Sequence, residues 1–285
     1  MANQFLVKET MAAMRGLSAA EITALQNGTY DGVELLGYYA KGDTPAPIIY
    51  YLAPTTTDPG PDDGGSVIAI SGNKLAHQFM DHVHVSYFGA TGQGLSDATE
   101  GIQKAVNYSA AKKMPLVFSE NTTYITKKVI NLPSDTTLYF NKAIVHKTVQ
   151  TDKDAIFTST DSANIAIKGL IAKGSLISPS TPGSSATSSC LYFINCIDVI
   201  LEDFHLSNMR SGLMVYYCTG LKITNGTIAD NFLTGVSGFV NNFEFENILF
   251  KDNGNLANGG THDVYLINSS KGIFRNVTFD TAIDP

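Results

Sequence analysis

Asp230 and Asp252 stand 22 residues apart, and Asn208 precedes Asp230 by the same interval. Asn231 and Asn253 follow the two aspartates directly, Arg210 lies two residues beyond Asn208, and the pair His262 and Asp263 comes soon after. Two carboxylates placed across a glycosidic bond can cleave it, one as acid and the other as nucleophile or base. A separation near 5 Å favours retention and a wider one inversion. If 22 residues make one coil of a solenoid, neighbouring coils lie about 4.8 Å apart, and the two aspartates fall in the retaining range. The pattern predicts Asp230, Asp252, His262 and Asp263 as catalytic candidates, with Arg210, Asn231 and Asn253 as substrate-binding candidates. The same residue types suit a lyase, with His262 as base and Arg210 neutralising a uronate carboxylate. They also suit plain architecture, because Asp and Asn at coil turns hydrogen-bond the backbone and stack from coil to coil.

The elements that must position these residues are written in a repeat. Asp203, Asn225 and Asn247 recur every 22 residues inside VILEDFHL (199–206), LKITNGTI (221–228) and FEFENILF (243–250). A fourth copy, IFRNVTF (273–279), places Asn276 at 29, which is 22 plus seven inserted residues. A second strand recurs as CLYF, GLMVYY, TGVSGF and HDVYLI. One coil earlier, NIAIKGLIA (164–172) puts Gly169 where Asp203 stands, at a spacing of 34, or 22 plus 12. A period of this size in short β-rich pieces predicts a parallel β-helix, in which each coil buries its apolar side only against its neighbours. The extra residues fall in 178–189 and 253–260, at one shared phase, and are expected to wall a trough. Cys196 and Cys218 are also 22 apart and are expected to stack as buried free thiols. Glu202, Glu244 and Glu246 alternate with apolar residues and read as the solvated outer face.

Composition narrows the function. The 285 residues carry a net charge of −7 with only 16% charged residues, which argues against a nucleic-acid partner. There is no apolar run of 18 residues to insert in a membrane. Three cysteines are too few and too odd for a disulfide framework. No C-x-x-C or His/Cys cluster suggests zinc, so neither metal nor other cofactor is expected. The first residues, MANQFLVKETMAAMRG, lack the charged start and apolar block of a secretory signal, so synthesis in a cytoplasm without a signal peptide is expected.

The chain reads in three parts. Residues 1–27 look helical, with Met11, Met14 and Leu17 at helical spacing and a capping box from Ser18 to Glu21, and are expected to attach the chain to something else. Residues 28–82 read as a small β-rich module with an aspartate turn, Asp62-Asp63-Gly64-Gly65, that could help bind Ca²⁺. Tyr38, Tyr39, Tyr50 and Tyr51 in this module suit a small core, a contact between protomers, or stacking on sugars. Residues 83–285 read as the β-helix, with an amphipathic helix near 98–113 (Ile102, Ala105, Val106 and Ala110 on one face) covering its first coil.

Two segments resemble known proteins. GYYAKGD, IIYYLAP, DDGGSVI and NKLAHQF, in that order, are similar to the small module of bacteriophage tailspikes. VHVSYFGATGQGLSDATEGIQKAV (83–106) is similar to the opening of pectate-lyase-like right-handed β-helix proteins, V-x-x-FGA-x-GDG-x-x-D-D-T-x-A-I-Q-x-A. Phe88, Gly89, Ala90, Gly92, Gly94, Asp97, Thr99, Ile102, Gln103 and Ala105 match, while Gln93, Ala98 and Gly101 depart. The resemblance implies a homotrimeric right-handed parallel β-helix in the tail of a phage or tail-like particle. It would be held to tail or baseplate proteins through the N-terminus, and would bind and depolymerise bacterial surface polysaccharide. A non-catalytic tail or baseplate component and a free bacterial polysaccharide lyase or glycoside hydrolase are the other readings. Only about five coils are legible before Pro285, so a fragment of a longer spike, or a last coil covered by another chain, is expected.

Overall fold

The structure, a computed structural model, describes residues 4–54, 56–149, 154–175, 188–254 and 262–280. The insertions at 178–189 and 253–260 fall largely outside the described residues, so the trough they were expected to wall does too.

The larger part is a right-handed parallel β-helix of three faces. Face 1 is built from Ile130–Asn131, Ala155–Thr160, Ser189–Ile194, the opening halves of Ser211–Ala229 and Thr234–Lys251, and His262–Leu266. Face 2 runs from Val83–His84 through Leu116–Val117, Thr137–Tyr139 and Ala163–Lys168 to the opening of Ser270–Asp280. Face 3 runs from Thr123–Thr126 through Ile144–Lys147 and Ile171–Lys173 to the ends of the same long strands. Every pairing in this sheet is parallel. The alternation along each strand explains the core: Leu191, Leu213 and Val236 stack inward on face 1, and Leu201, Ile223 and Phe245 on face 2, all at most 1% exposed.

Turns set where side chains point. Face 2 passes into face 3 through single residues in the left-handed region, Asp203, Asn225, Asn247 and Asn276, with φ of 54°, 55°, 56° and 51°. Asn and Asp tolerate this conformation better than other L residues. Their amides chain together, Asn247 Nδ2 donating to Asn225 Oδ1 at 2.9 Å and Asn276 to Asn247 at 2.7 Å. Gly169, at the same turn one coil earlier, has φ of 73°. Cys196 and Cys218 are buried, as the repeat implied, beside Cys190, and all three are free thiols. The outer side of face 2 carries ion pairs, Lys168 with Glu202 at 3.2 Å and Glu244 with both Lys222 and Arg275.

The helix Thr99–Ala111 buries Ile102, Ala105, Val106 and Ala110 over the first coil. The chain reaches it through Val83–His84 and a 3₁₀ turn, Val85–Phe88, rather than one strand over 83–90. Gly89 closes that turn at φ of 89°, and a Cβ there would come within 2.8 Å of the Tyr38 ring. The FGA motif thus joins the helix to the preceding module.

In that module the N-terminal segment is not only helical. Phe5–Lys8 is a strand, paired in parallel with Gly32–Leu35, followed by helices Met11–Arg15 and Ala19–Gln26. The capping box at Ser18 and Glu21 forms. Met11, Met14, Leu17, Ile22 and Leu25 share one core with Val33, Leu35, Tyr50, Ile68 and Leu75. Burial of this face fixes the segment to the module, because a helix of eight residues is marginal alone. The Asp62-Asp63 turn is occupied by protein groups: Asp62 pairs with Arg15 at 2.5 and 2.8 Å, and Asp63 accepts the amides of Gly65, Ser66 and Val67. The Arg15 guanidinium holds the Asp62 carboxyl down at about 2.

Candidate functional site

The candidate residues collect where face 3 turns into face 1. Each coil makes this corner with a left-handed residue, Asn208, Asp230 or Asp252, at φ of 57°, 55° and 50°. The neighbouring residues Ala229 and Lys251 are paired across the sheet, so Asp230 and Asp252 stand one strand spacing apart, about 4.8 Å. The Asp230 amide donates to the Lys251 carbonyl at 3.1 Å and the Asp252 amide to the Asp280 carbonyl at 3.2 Å, which leaves the Asp230 side chain exposed and that of Asp252 half-buried.

The next residue in each coil turns inward. Asn231 and Asn253 are 1% and 2% exposed. Asn231 Nδ2 donates to the carbonyls of Leu206 and Ala229 and to Asn253 Oδ1, at 3.3, 3.0 and 2.9 Å, and its Oδ1 accepts the Met209 amide at 3.3 Å. Asn253 Nδ2 donates to the Ile228 carbonyl at 2.7 Å and to Asp263 Oδ1 at 3.0 Å. These amides, read from sequence as substrate-binding, face the interior and hold the corner. A left-handed residue reverses which way its successor points, and alternation in the sequence does not reveal that reversal. Through Asn253, Asp263 is anchored beside Asp252.

Arg210 and His262 are more widely placed. Ser211, Thr234 and His262 are successive register partners, so Arg210 and His262 sit two coils apart, about 10 Å along the axis. Arg210 is half-buried, and its carbonyl accepts the amides of Leu233 and Thr234 at 2.8 and 3.3 Å. The exposed His262 ring lies flat on Tyr265, with centroids 5.1 Å apart and planes at 10°.

Two features escaped the sequence. His205, on the outer side of face 3, has its pKa lowered by burial and opposed by the charge of Asp230. A lone His three residues out of phase with the aspartate ladder gives no signal. Face 1 also carries an outward aromatic row: Tyr192 and Tyr216 at 5.8 Å, Tyr216 and Phe239 at 5.4 Å, and Tyr217 parallel to Phe239 at 5.4 Å and 5°. Five residues separate Ser211 from Tyr216, so the row lies about 17 Å across the face from the aspartate corner. On face 3 a shallow polar groove of about 350 Å³ follows Asn225, Asn247 and Asn276, with Thr227 and Thr278 beside them. Among the described residues no cluster of three or more His, Cys, Asp or Glu is placed to hold a metal ion, and no helix is long and apolar enough to cross a membrane.

No protein-family model and no curated protein matches the sequence. Solved structures do. The gp42 tailspike of an Acinetobacter phage aligns with a TM-score of 0.60 at 13% identity, over 96% of this chain and 58% of the tailspike. The fold is the tailspike-like parallel β-helix. A candidate glycosyl hydrolase from Parabacteroides merdae aligns with a TM-score of 0.56 at 18% identity, over 70% of this chain and 96% of that protein. At these identities the likeness is one of fold. The tailspike-like chain spans little more than half the length of the phage protein it resembles.

Proposed function

We propose that this chain is part of a tailspike that binds bacterial surface polysaccharide across face 1 and hydrolyses it at the corner between faces 3 and 1. The observation that carries the reading is the Asp230–Asp252 pair, stacked one coil apart at an open corner beside an outward aromatic face. One carboxyl would protonate the glycosidic oxygen while the other attacks the anomeric carbon, and water would then release the sugar from the enzyme. Asp263 and His262 border the pair, and Arg210, one coil earlier, suits a sugar hydroxyl. Asn231 and Asn253 position the corner from within. The two-coil separation of Arg210 and His262 speaks against their sharing a single uronate residue as lyase partners. The folded N-terminal module, with Tyr39 and Tyr51 63% and 53% exposed, would dock on tail or baseplate proteins, and the assembled spike would be a homotrimer.

One observation favours a non-catalytic role, because Asn208 occupies the same turn and shows that the ladder serves backbone geometry too. The test is release of reducing ends from a panel of bacterial capsular and O-polysaccharides. Asp230→Asn and Asp252→Asn should each lower cleavage by about 10²–10⁴-fold, with glycan binding retained. Undiminished cleavage in either variant would remove that aspartate from the mechanism.

A further inference from the structure

The turn from face 1 to face 2 repeats a left-handed residue in successive coils: Asp161, Asn195, Tyr217 and Asn268, with φ of 53°, 53°, 58° and 48°. Three of the four are Asp or Asn, the types that tolerate this region, and Asn195 Nδ2 caps Asp161 Oδ1 at 2.9 Å. Tyr217 is the exception. A bulky aromatic side chain is strained there, and such strain persists where something else requires the side chain. Nor does its ring fill the core, since Tyr217 is 69% exposed.

The next coil explains the posture. Its register shifts between Tyr216 and Cys218, so Tyr216 pairs with Phe239 and Cys218 directly with Val240, and no residue of that coil stands opposite Tyr217. Phe239 lies flat in the space, parallel to the Tyr217 ring at 5.4 Å and 5°. Tyr216 tilts against the same Phe239 at 53°. The result is a supported aromatic shelf with an open ring face. Its outward neighbours on face 1 are uncharged, including Tyr192, Ile194 and Phe239. The charged residues of the same turn, Asp161 and Asp198, are both acidic.

Resting on the reading of the chain as a glycan binder, we propose that Tyr217, backed by Phe239, is a specificity-determining subsite that stacks on the apolar C–H face of a neutral sugar. A 6-deoxyhexose or N-acetylhexosamine, which adds a methyl group to that contact, suits it best. A uronate would meet an uncharged surface and two like charges. The shelf lies about 17 Å from the Asp230–Asp252 corner, so it would hold a sugar several residues from the cleaved bond.

The test measures calorimetric binding of neutral oligosaccharides containing these sugars, and of an oligouronate, to the whole chain and to Tyr217→Asn and Tyr217→Ala. Both variants should bind the neutral oligosaccharides about tenfold more weakly. Tyr217→Asn should also melt about 2–4 °C higher, because Asn relieves the left-handed strain. Better stability with poorer binding is the pattern expected of a ligand-facing residue and not of a packing residue. Unchanged binding in the variants, a lower melting point in Tyr217→Asn, or a loss of oligomeric mass would overturn the inference, the last by assigning the shelf to a second copy of the chain. Wild-type preference for the oligouronate would overturn the shelf and leave the glycan-binding reading standing. Wild-type binding to none of the glycans would overturn both.

Discussion

Asn231 is the residue whose replacement should cost this fold most for the fewest atoms. Its side chain joins three coils: it accepts the Met209 amide and donates to Leu206, Ala229 and Asn253. Asn231→Ala removes two N–H donors and one acceptor at a site only 1% exposed. A typical hydrogen bond contributes about 1 kcal/mol net, and a buried partner left unsatisfied costs about 1–3 kcal/mol more. The Met209 amide is the partner least able to reach water. The expected loss is about 3–5 kcal/mol, or roughly a 6–15 °C fall in the apparent melting midpoint. Asn225→Gly is the control. It removes an exposed amide from the outer ladder at a turn where glycine is equally at ease, and should change stability by less than about 1 kcal/mol. Urea unfolding followed by far-UV circular dichroism measures both. Equal effects of the two substitutions, or a loss below about 1 kcal/mol for Asn231→Ala, would show that water enters the corner and that the internal ladder does not hold it.

Two further outcomes follow from buried groups. His84 is held neutral by burial, with a smaller contribution from His82, and its pKa falls from 6.5 to about 4. The unfolded chain therefore binds this proton at a higher pH than the folded one. Stability from His84 is complete above pH 6.5 and is lost as the pH falls toward 4. Between pH 7 and 5 the loss should be about 2 kcal/mol, and His84→Gln should remove that share of the pH dependence in urea titrations. The three cysteines should resist a disulfide thiol reagent until the protein unfolds. Burial pushes the Cys190 thiol up, and the hydrogen bond to Cys196, followed by burial, pushes up that of Cys218. The same bond pulls Cys196 down, yet Cys196 is fully buried, so access governs its reactivity as well. Rapid labelling of the native protein would mean that the coils open locally.

The solenoid was legible because its period is written in residues that backbone geometry demands. Asp203, Asn225, Asn247 and Asn276 recur where a left-handed turn recurs, and the offsets of 34 and 29 were read as insertions because Gly169 and Asn276 kept their phase. The strand Phe5–Lys8 was not legible: four residues carry little periodicity, and their partner, Gly32–Leu35, lies beyond two helices. At the corner, the aspartates could be placed by spacing, but the inward turn of Asn231 and Asn253 could not. Tyr217 was hidden for a related reason. Its position is defined by the Asn and Asp residues it replaces, and the missing residue one coil later breaks the simple 22-residue spacing from Tyr216 to Phe239.

The account's central claim is that Asp230 and Asp252 act together on one glycosidic bond from adjacent coils. Proton NMR of the first product released from a surface polysaccharide tests it most directly. Carboxylates one strand spacing apart leave no room for a water between the second carboxylate and the sugar, so the new reducing end should appear with its anomeric configuration retained. Release with inverted configuration, or an unsaturated sugar at the new non-reducing end, would contradict the claim.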